Sequence, residues 1–259
     1  MTEIIGSAFA IPDSTFQLIS INRGRWFTPW LRPRHFEEHY LPDMIRLVTG
    51  QETVPFGDVV LATRDTVMAP EICEELFTPN SPHVHLGLDG VEIFTNGSAS
   101  HHELRKLQRR VDLMRSATSK IGGAYLYANQ QGCDGERAYY DGCALISCNG
   151  HILAQGSQFS LDDIEVVTAS VSLDDIRSRR GSVISRGMQA SLAPSYHRVH
   201  LGITLSDPLR FEITRPIFPL FHSVEEEIEY VHCRLIVLTE CLIDWGQRAG
   251  FGIICAALA

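Results

Sequence analysis

Lysine is nearly missing from this chain. Among 259 residues only Lys106 and Lys120 occur, and Asp plus Glu outnumber Lys plus Arg by 31 to 22, for a formal net charge of −9. Proteins that bind nucleic acid need a basic surface. The densest basic run, RKLQRR (residues 105–110), falls on a predicted amphipathic helix, where we expect a solvated helix face. The charge balance therefore argues against a nucleic-acid partner.

Long apolar runs and paired cysteines are missing as well. No segment approaches the 18 apolar residues of a membrane-spanning helix, so we expect no membrane association. The seven cysteines are an odd number without a CxxC pair, which argues against a disulfide framework or a zinc site. The N-terminal MTEIIGSAFAIP lacks the basic stretch and apolar core of a signal peptide. We expect free thiols and a cytoplasmic location.

One cysteine stands where a nucleophile would stand. In DTVMAPEICEELFTP (residues 65–79), residues 66–72 form a predicted strand, Cys73 follows, and Glu74 and Glu75 open a helical turn. A helix N-terminus favours the thiolate form of a cysteine, and the next backbone N–H can donate to an oxyanion. A buried core cysteine explains the same spacing, since cysteine is among the most buried residue types. The residues alone leave both interpretations open.

The remaining pattern predicts strands that alternate with helices, and therefore a layered α/β domain. An Asn149–Gly150 turn predicts a hairpin over residues 144–155. Periodicity does not choose among the layered folds. The predicted strands are 58–63, 66–72, 91–96, 124–128 and 164–171, and the predicted helices are 43–49, 101–121 and 173–179.

Several motifs in one order resemble a known family. They are RWFTPW (25–30), QETVPFGD (51–58), EICEELFTP (71–79), LDGVEIFTNGSASHHELRK (88–106), NQQGCDGERAYYDGCALI (129–146) and AQGSQFSLDDIEV (154–166). Together they resemble the N-terminal glutaminase domain of eukaryotic glutamine-dependent NAD(+) synthetases, in the nitrilase or carbon-nitrogen hydrolase superfamily. The resemblance implies a four-layer α-β-β-α sandwich, incomplete at its N-terminal side.

The resemblance also implies a division of the chain. Residues 1–24 are an atypical segment, and residues 25–184 are a partial carbon-nitrogen hydrolase domain. Residues 185–222 read as an irregular linker. Residues 223–259 resemble the start of a synthetase domain, which ends before the glycine-rich ATP-binding loop expected next.

By resemblance, Cys73 attacks the side-chain carboxamide of glutamine while a glutamate acts as base and a lysine stabilises the oxyanion. The family carries those two residues upstream of RWFTPW. Here Glu3 stands in a different context and no lysine precedes Cys73. Ser100 and Lys106 match family positions that line the glutamine pocket, although a loop serine and a solvated helix lysine explain them equally well. We expect this chain to be inactive as a glutaminase on its own.

The implied ligands differ between the two parts of the family. The glutaminase step needs no cofactor, whereas the synthetase domain uses ATP, Mg²⁺ and deamido-NAD(+). We expect glutamine as substrate, and a homo-oligomer or assembly with the full-length enzyme. A non-catalytic assembly or regulatory fragment and a stand-alone nitrilase-type amidase are the alternatives.

Other conspicuous residues receive structural interpretations. His101 and His102 are adjacent, point to different faces and lack a third ligand at metal spacing, so we predict no metal site. Asp134 and Asp141 stand beside glycines and are predicted turn formers. Ala69–Pro70 replaces a Gly–Ser pair of the family, and a proline inside a strand removes a ladder donor. Cys133, Cys143 and Cys148 are expected to be core or surface thiols.

Overall fold

A seven-stranded mixed sheet is the centre of the fold in the computed structural model, which describes residues 32–133 and 138–206. A 3₁₀ helix, Cys73–Phe77, follows the fourth strand. The strands are β1 Phe36–Tyr40, β2 Thr53–Gly57, β3 Val59–Ala62, β4 Val67–Ile72, β5 Ile93–Ser98, β6 Ala124–Asn129, β7 Gln131–Cys133, β8 Tyr139–Asp141, β9 Leu145–Cys148, β10 His151–Gln155 and β11 His197–His200, and the helices are α1 Asp43–Thr49, α2 Pro82–Asp89, α3 Lys106–Ile121, α4 Leu173–Gly181 and α5 Ile184–Leu192.

The strand order of the main sheet is β10-β9-β6-β5-β4-β3-β11. The three central strands β4, β5 and β6 are parallel, with Glu71 beside Asn96 and Asn96 beside Tyr127. The carboxyl ends of parallel strands meet at one edge of a sheet, which is where ligands bind in open α/β sheets. Cys73, Ser98 and Asn129 stand at that edge.

The two faces of the sheet carry separate apolar clusters, because successive strand residues point to opposite sides. Phe94 and Tyr125 face the helices and belong to the larger cluster, which includes buried side chains of α2 and α3. Ile93 and Leu126 face the other side, where Val167 packs against them. The side chains that precede Cys73 on the helix-covered face, among them Glu71, are therefore inside the larger core.

Much of the predicted secondary structure is confirmed. The first helix begins and ends where expected, at Asp43 and Thr49. The predicted hairpin is β9–β10, and its turn residues Asn149 and Gly150 both have positive φ, 49° and 93°. Such a turn matches the twist of the strands it joins. The predicted α/β class is confirmed as well, because helices follow strands of one mixed sheet.

Helix α3 starts later than predicted. Arg105 adopts a left-handed conformation with φ 63°, so the helix begins at Lys106 instead of residue 101. Leu104 consequently lies outside the helix and is 61% exposed. The rest of the predicted apolar face is buried: Leu107, Val111, Met114, Ala117 and Ile121.

Two local predictions were wrong, and one pair of strands was missed. Residues 164–171 form no strand, and they cover the second face of the sheet through Val167 and Ala169. Residues 185–206, expected to be irregular, contain most of α5 and all of β11, which pairs with β3. Strands β1 and β2 were not predicted, because neither shows a clean alternation: β1 is largely exposed, and most of β2 is half-buried.

The implied sandwich is seen in part. Within residues 32–133 and 138–206 there is one large sheet, accompanied by the small sheets β1–β2 and β7–β8. The segments predicted at residues 1–24 and 223–259 lie outside the described residues, as does RWFTPW. No described helix is long and apolar enough to cross a bilayer.

Candidate active site

Cys73 occupies a sharp strand-to-helix turn, as predicted. Strand β4 ends at Ile72, and the 3₁₀ helix begins at the cysteine itself. Cys73 has φ 42°, in a region that side chains other than glycine seldom adopt. The Glu75 carboxylate accepts the Ile72 N–H at 2.7 Å and closes the turn from the helix side. The side chain of Cys73 is buried, with 4% of the residue exposed.

Pro70 is accommodated without a lost ladder bond toward β3. The antiparallel pairing of β3 and β4 joins Leu61 to Met68 and Ala62 to Val67, and it ends before Pro70. On the other side Pro70 stands beside Thr95 of β5. The departure from the family's Gly–Ser pair therefore leaves the strand that leads to Cys73 intact.

Polar side chains buried in the sheet surround the turn. The Cys73 N–H donates to Asn96 Oδ1 at 2.8 Å, and Asn96 Nδ2 donates to the Tyr125 hydroxyl at 2.9 Å. Tyr125 in turn donates to Glu71 Oε2 at 2.5 Å. Burial, and then the Glu71 carboxylate, raise the pKa of Tyr125 well above its ordinary value. The tyrosine therefore keeps its proton throughout the physiological range.

A second polar cluster lies at the ends of β6 and β8. The Ser100 N–H donates to Asn129 Oδ1 at 2.8 Å, and Asn129 Nδ2 donates to the Ser100 carbonyl at 3.1 Å. Asn129 Nδ2 also donates to Asp141 Oδ1 at 3.1 Å. The Ser100 loop is therefore held to the sheet by one asparagine side chain.

Asp141 and Arg110 form a fully buried ion pair beneath this loop. Arg110 donates to both carboxylate oxygens of Asp141 at 2.7 and 2.6 Å. Burial raises the pKa of Asp141. His102, Arg110 and Gln158 lower it by a larger amount, so that the pKa lies below its ordinary value. The predictions of a turn-forming Asp141 and a solvated RKLQRR helix face were wrong at these two positions, because one buried charge partners the other.

Tyr127 stands between the two clusters. Burial raises its pKa to about 12, opposed by the charge of Arg110 and by the nearby Ser98 and Ser100, while Cys73 raises it further. Strand pairing sets Ile72 beside Gly97 and Ser98 beside Asn129, so Cys73 and the loop that contains Ser100 start from the same edge of the sheet.

Lys106 lies at the start of α3 and contacts a surface acid. It is the first residue of α3, one helical turn before Arg110, and its side chain is 13% exposed. Its ammonium lies 3.3 Å from the Glu103 carboxylate. The structure therefore places Cys73 and the Ser100 loop at one edge of the sheet, and it pairs Lys106 with Glu103.

Sequence reasoning missed Glu71, Asn96, Tyr125 and Tyr127. A signal was present: polar groups stand inside apolar strands, in PEIC, IFTN and AYLY. A buried polar group is costly unless it has a partner. The partners lie on different strands, so the pattern of one strand could not identify them.

Comparison with known proteins identifies the family of the chain. A family model described as carbon-nitrogen hydrolase matches residues 10–181. The chain belongs to the carbon-nitrogen hydrolase family. Cys73, Ser100 and Lys106 all lie inside the matched part of the chain.

Curated relatives of this carbon-nitrogen hydrolase are larger proteins. The chain is 60% identical over 206 residues to "Glutamine-dependent NAD(+) synthetase" of Macaca fascicularis, covering 79% of this chain and 29% of that protein. It is 59% identical over 206 residues, with the same coverage, to the protein of that name from Homo sapiens. The chain thus spans about three tenths of the length of these relatives.

Among solved structures, the glutamine-dependent NAD(+) synthetase of Cytophaga hutchinsonii matches with a TM-score of 0.45 and 29% identity, covering 55% of this chain and 21% of that one.

Proposed function

We propose that this chain carries the nucleophile of a glutaminase, which hydrolyses the side-chain amide of glutamine and supplies ammonia for amidation of deamido-NAD(+). The observation that carries the proposal is the position of Cys73: the first residue of a helical turn, at the carboxyl end of a parallel strand, beside the Ser100 loop. The names of the curated relatives support glutamine as the substrate.

The proposed reaction has two steps. The Cys73 sulfur attacks the carboxamide carbon, the C–N bond breaks, and the nitrogen leaves as ammonia after it receives a proton. Water then attacks the thioester, releases glutamate and returns the proton to the thiol. The N–H of Glu74, the next amide along the turn, is the backbone donor that we assign to the oxyanion.

Ser100 and Lys106 are the proposed contacts for the other end of glutamine. The Ser100 loop is held rigidly by Asn129. The ammonium of Lys106 pairs with the Glu103 carboxylate. When glutamine binds, the α-carboxylate of the substrate would replace Glu103 as the partner of this ammonium. A lysine at the first turn of α3, where backbone N–H groups lack helical partners, makes this region favourable for an anionic group.

The proton transfers need a base and a second oxyanion donor beyond these residues. Both lysines of the chain follow Cys73, and both are on α3. Residues of a catalytic unit act together, so that loss of one member costs on the order of 10⁴ to 10⁶ in kcat. We therefore propose that the 259-residue chain, tested as it stands, does not turn over glutamine.

The first test is intact-mass labelling of this chain with 6-diazo-5-oxo-norleucine, a glutamine analogue that alkylates active-site thiols. We expect no adduct on a soluble, folded chain at times when iodoacetamide modifies the exposed Cys133. A stoichiometric adduct that is lost in Cys73→Ala and retained in Cys133→Ala would contradict the inactivity and show that another group activates the thiol.

The second test asks whether the site works in a complete enzyme. In a chimera, the 206 aligned residues of the macaque relative are replaced by those of this chain. We expect NAD(+) formation from deamido-NAD(+) with either glutamine or free ammonia. The Cys73→Ala chimera should lose the glutamine-dependent rate and keep the ammonia-dependent rate. If both chimeras use ammonia alone, the glutaminase proposal is wrong.

ATP, Mg²⁺ and deamido-NAD(+) belong to the amidation step and not to the residues described. Residues 32–133 and 138–206 contain no group of three or more His, Cys, Asp or Glu side chains that could bind a metal ion. The proposed hydrolysis uses the thiol, backbone donors and water. The requirement for these ligands and the cytoplasmic location remain predictions.

A second candidate function, assembly with full-length enzyme, is favoured by one observation. Helix α5 has no buried residue, and its Ile184, Met188 and Leu192 are 82, 68 and 86% exposed at four-residue spacing. The test is co-purification with a tagged relative, compared with a variant that carries Met188→Glu. If the tagged relative captures both forms of the chain equally, the exposed apolar side chains of α5 do not support assembly.

A further inference from the structure

A chain of buried hydrogen bonds connects the Cys73 amide to the start of helix α2. Glu71 Oε1 accepts the His83 backbone N–H, and it lies 2.9 Å from His83 Nδ1. Glu71 Oε2 accepts the Tyr125 hydroxyl, Tyr125 accepts from Asn96, and Asn96 accepts from Cys73. The acid, the tyrosine and the asparagine are each at most 2% exposed.

We propose that Glu71 is a positioning residue, which sets the direction of every hydrogen bond in this relay and so holds the backbone of the nucleophile Cys73. The relay consists of Glu71, Tyr125 and Asn96. Its effect on catalysis rests on the proposed glutaminase function, whereas its effect on the Cys73 backbone does not.

The argument for direction starts at the acid. An ionised carboxylate only accepts, so Tyr125 must spend its single proton on Glu71. The tyrosine oxygen can then only accept, and the group it faces must be the amide nitrogen of Asn96. The amide oxygen is thereby turned toward the Cys73 N–H. Amide orientations often have two alternatives. The carboxylate, acting through Tyr125, favours this one, and the Ser98 hydroxyl supports it by donating to Asn96 Oδ1 at 2.9 Å.

The relay acts where the backbone needs support. Cys73 has φ 42°, and the left-handed region is unfavourable for a residue that carries a Cβ atom. The turn persists only if surrounding contacts determine it. The Cys73 N–H on Asn96 and the Ile72 N–H on Glu75 are two such contacts. The first depends on the relay and the second does not.

Helix α2 fixes the far end of the relay. His83 belongs to the first turn of α2, where backbone N–H groups lack helical partners and the helix dipole favours a negative charge. Glu71 accepts there through Oε1. Its position is therefore determined by an element that packs over the sheet, independently of Cys73.

Substitution of the acid by its amide reverses the relay. A glutamine at residue 71 that accepts from His83 presents its NH₂ group to Tyr125, so that the tyrosine proton turns toward Asn96. The Asn96 amide must then turn its oxygen toward Tyr125 and its NH₂ group toward the Cys73 N–H. Two donors face each other there, and the hydrogen bond to Cys73 is lost. Tyr125→Phe breaks the relay without this reversal, and Asn96→Ala removes its last member.

The test is hydrogen exchange of the Cys73 amide in the full chain, labelled with ¹⁵N-cysteine. Seven cysteines give seven signals, and Cys73→Ala assigns the one of interest. Cys148, in strand β9, reports on the sheet. In Glu71→Gln and Tyr125→Phe we expect the Cys73 amide to exchange about tenfold faster or more, the size of a lost buried hydrogen bond. Cys148 exchange should change less than about twofold.

Two controls sharpen the result. Glu52→Gln neutralises an exposed acid and should leave the Cys73 amide unchanged. If Glu71 acts through Asn96, Glu71→Gln combined with Asn96→Ala should exchange no faster than Asn96→Ala alone. Unchanged Cys73 exchange in both relay variants overturns the proposal. Equal acceleration of Cys73 and Cys148 also overturns it, because the role would then be general stability.

Catalysis gives a separate readout in the chimera described above. Glu71→Gln should lower kcat for glutamine about tenfold or more, with a smaller change in KM and an unchanged ammonia-dependent rate. A chimera without glutamine activity would refute the glutaminase function and leave the exchange result standing. A glutamine kcat that is unchanged in Glu71→Gln would refute the relay and leave the glutaminase standing.

Discussion

Single residues in this protein take their roles from partners on other elements. Asp141 follows two tyrosines and precedes a glycine, the context of a turn former. In the fold its carboxylate has no exposure and receives hydrogen bonds from Arg110, Asn129 and Gln158. A carboxylate with this many donors is stabilised in its charged form. It joins α3, β6 and β8 beneath the Ser100 loop.

We expect Asp141→Asn to destabilise the protein by about 3 kcal/mol, because it leaves the buried Arg110 without a counter-charge. The pH dependence follows from the lowered pKa of Asp141. Its contribution is fully present above the ordinary value of 3.8 and is lost as the pH falls toward the folded-state pKa. Urea unfolding at a series of pH values measures both effects.

The matched control is Asp112→Asn, which neutralises an exposed acid on α3, two residues from Arg110. It should change the free energy of unfolding by less than about 0.5 kcal/mol. If the two variants unfold at the same urea concentration, the ion pair does not support the fold. If Asp141→Asn loses stability with acid as steeply as the parent chain, another group causes the loss.

At the scale of elements, helices α2 and α3 approach each other at a glycine. A methyl group added to Gly87 would lie 2.0 Å from Ile121 Cγ2 and 3.4 Å from the Phe94 ring. Both neighbours belong to the larger core, where side chains have little room to move. The glycine in α2 is therefore a packing requirement, since its backbone conformation is ordinary.

We expect Gly87→Ala to lower the free energy of unfolding by about 1–3 kcal/mol through overpacking. Gly187→Ala is the matched control, because a methyl there meets nothing within 4 Å. In the middle of a helix that substitution should stabilise by about 0.5–1 kcal/mol. Thermal unfolding of the two variants should therefore shift in opposite directions. Shifts of the same sign would contradict the close approach of α2 and α3.

At the scale of the whole molecule, arginines from the end of the described chain hold the earlier elements together. Arg180 of α4 donates to the carbonyls of Gly122, Gly90 and Val91, which follow α3 and α2. Arg186 of α5 donates to Gly87 and Ile121. Carbonyls at helix C-termini lack helical partners, and a cation there complements the helix dipole. Burial, and then Arg186, lower the pKa of Arg180 to about 10.

We expect Arg180→Met to cost about 3 kcal/mol, since it removes three hydrogen bonds from a buried site and leaves carbonyls unsatisfied. Arg179→Met is the control, because this exposed neighbour makes one bond, to the Ser119 carbonyl at 3.1 Å. Its effect should stay below about 1 kcal/mol. Denaturant unfolding distinguishes them, and equal midpoints would mean that α4 does not tie the ends of α2 and α3 together.

What could be read from the sequence was local. The apolar period of α3, the Asn149–Gly150 turn and the strand–cysteine–turn segment are all properties of neighbouring residues. The order of the motifs identified the family. The family in turn implied the α/β class and pointed to Cys73 as the candidate nucleophile. Boundaries shifted where local geometry decided them, as at Arg105, whose left-handed conformation delays α3.

Only the tertiary structure decided which polar groups meet. Glu71, Asn96 and Tyr125 lie on three parallel strands, and their register alone aligns them with the Cys73 amide. Asp141 and Arg110 are 31 residues apart and become a buried pair by packing. A sequence pattern reports the periodicity of one element. The free-energy cost of burying a polar group, by contrast, depends on whether a residue of another element forms a hydrogen bond with it. The strand-to-helix turn at Cys73 was therefore identifiable from its own surroundings, and the residues that hold it were not.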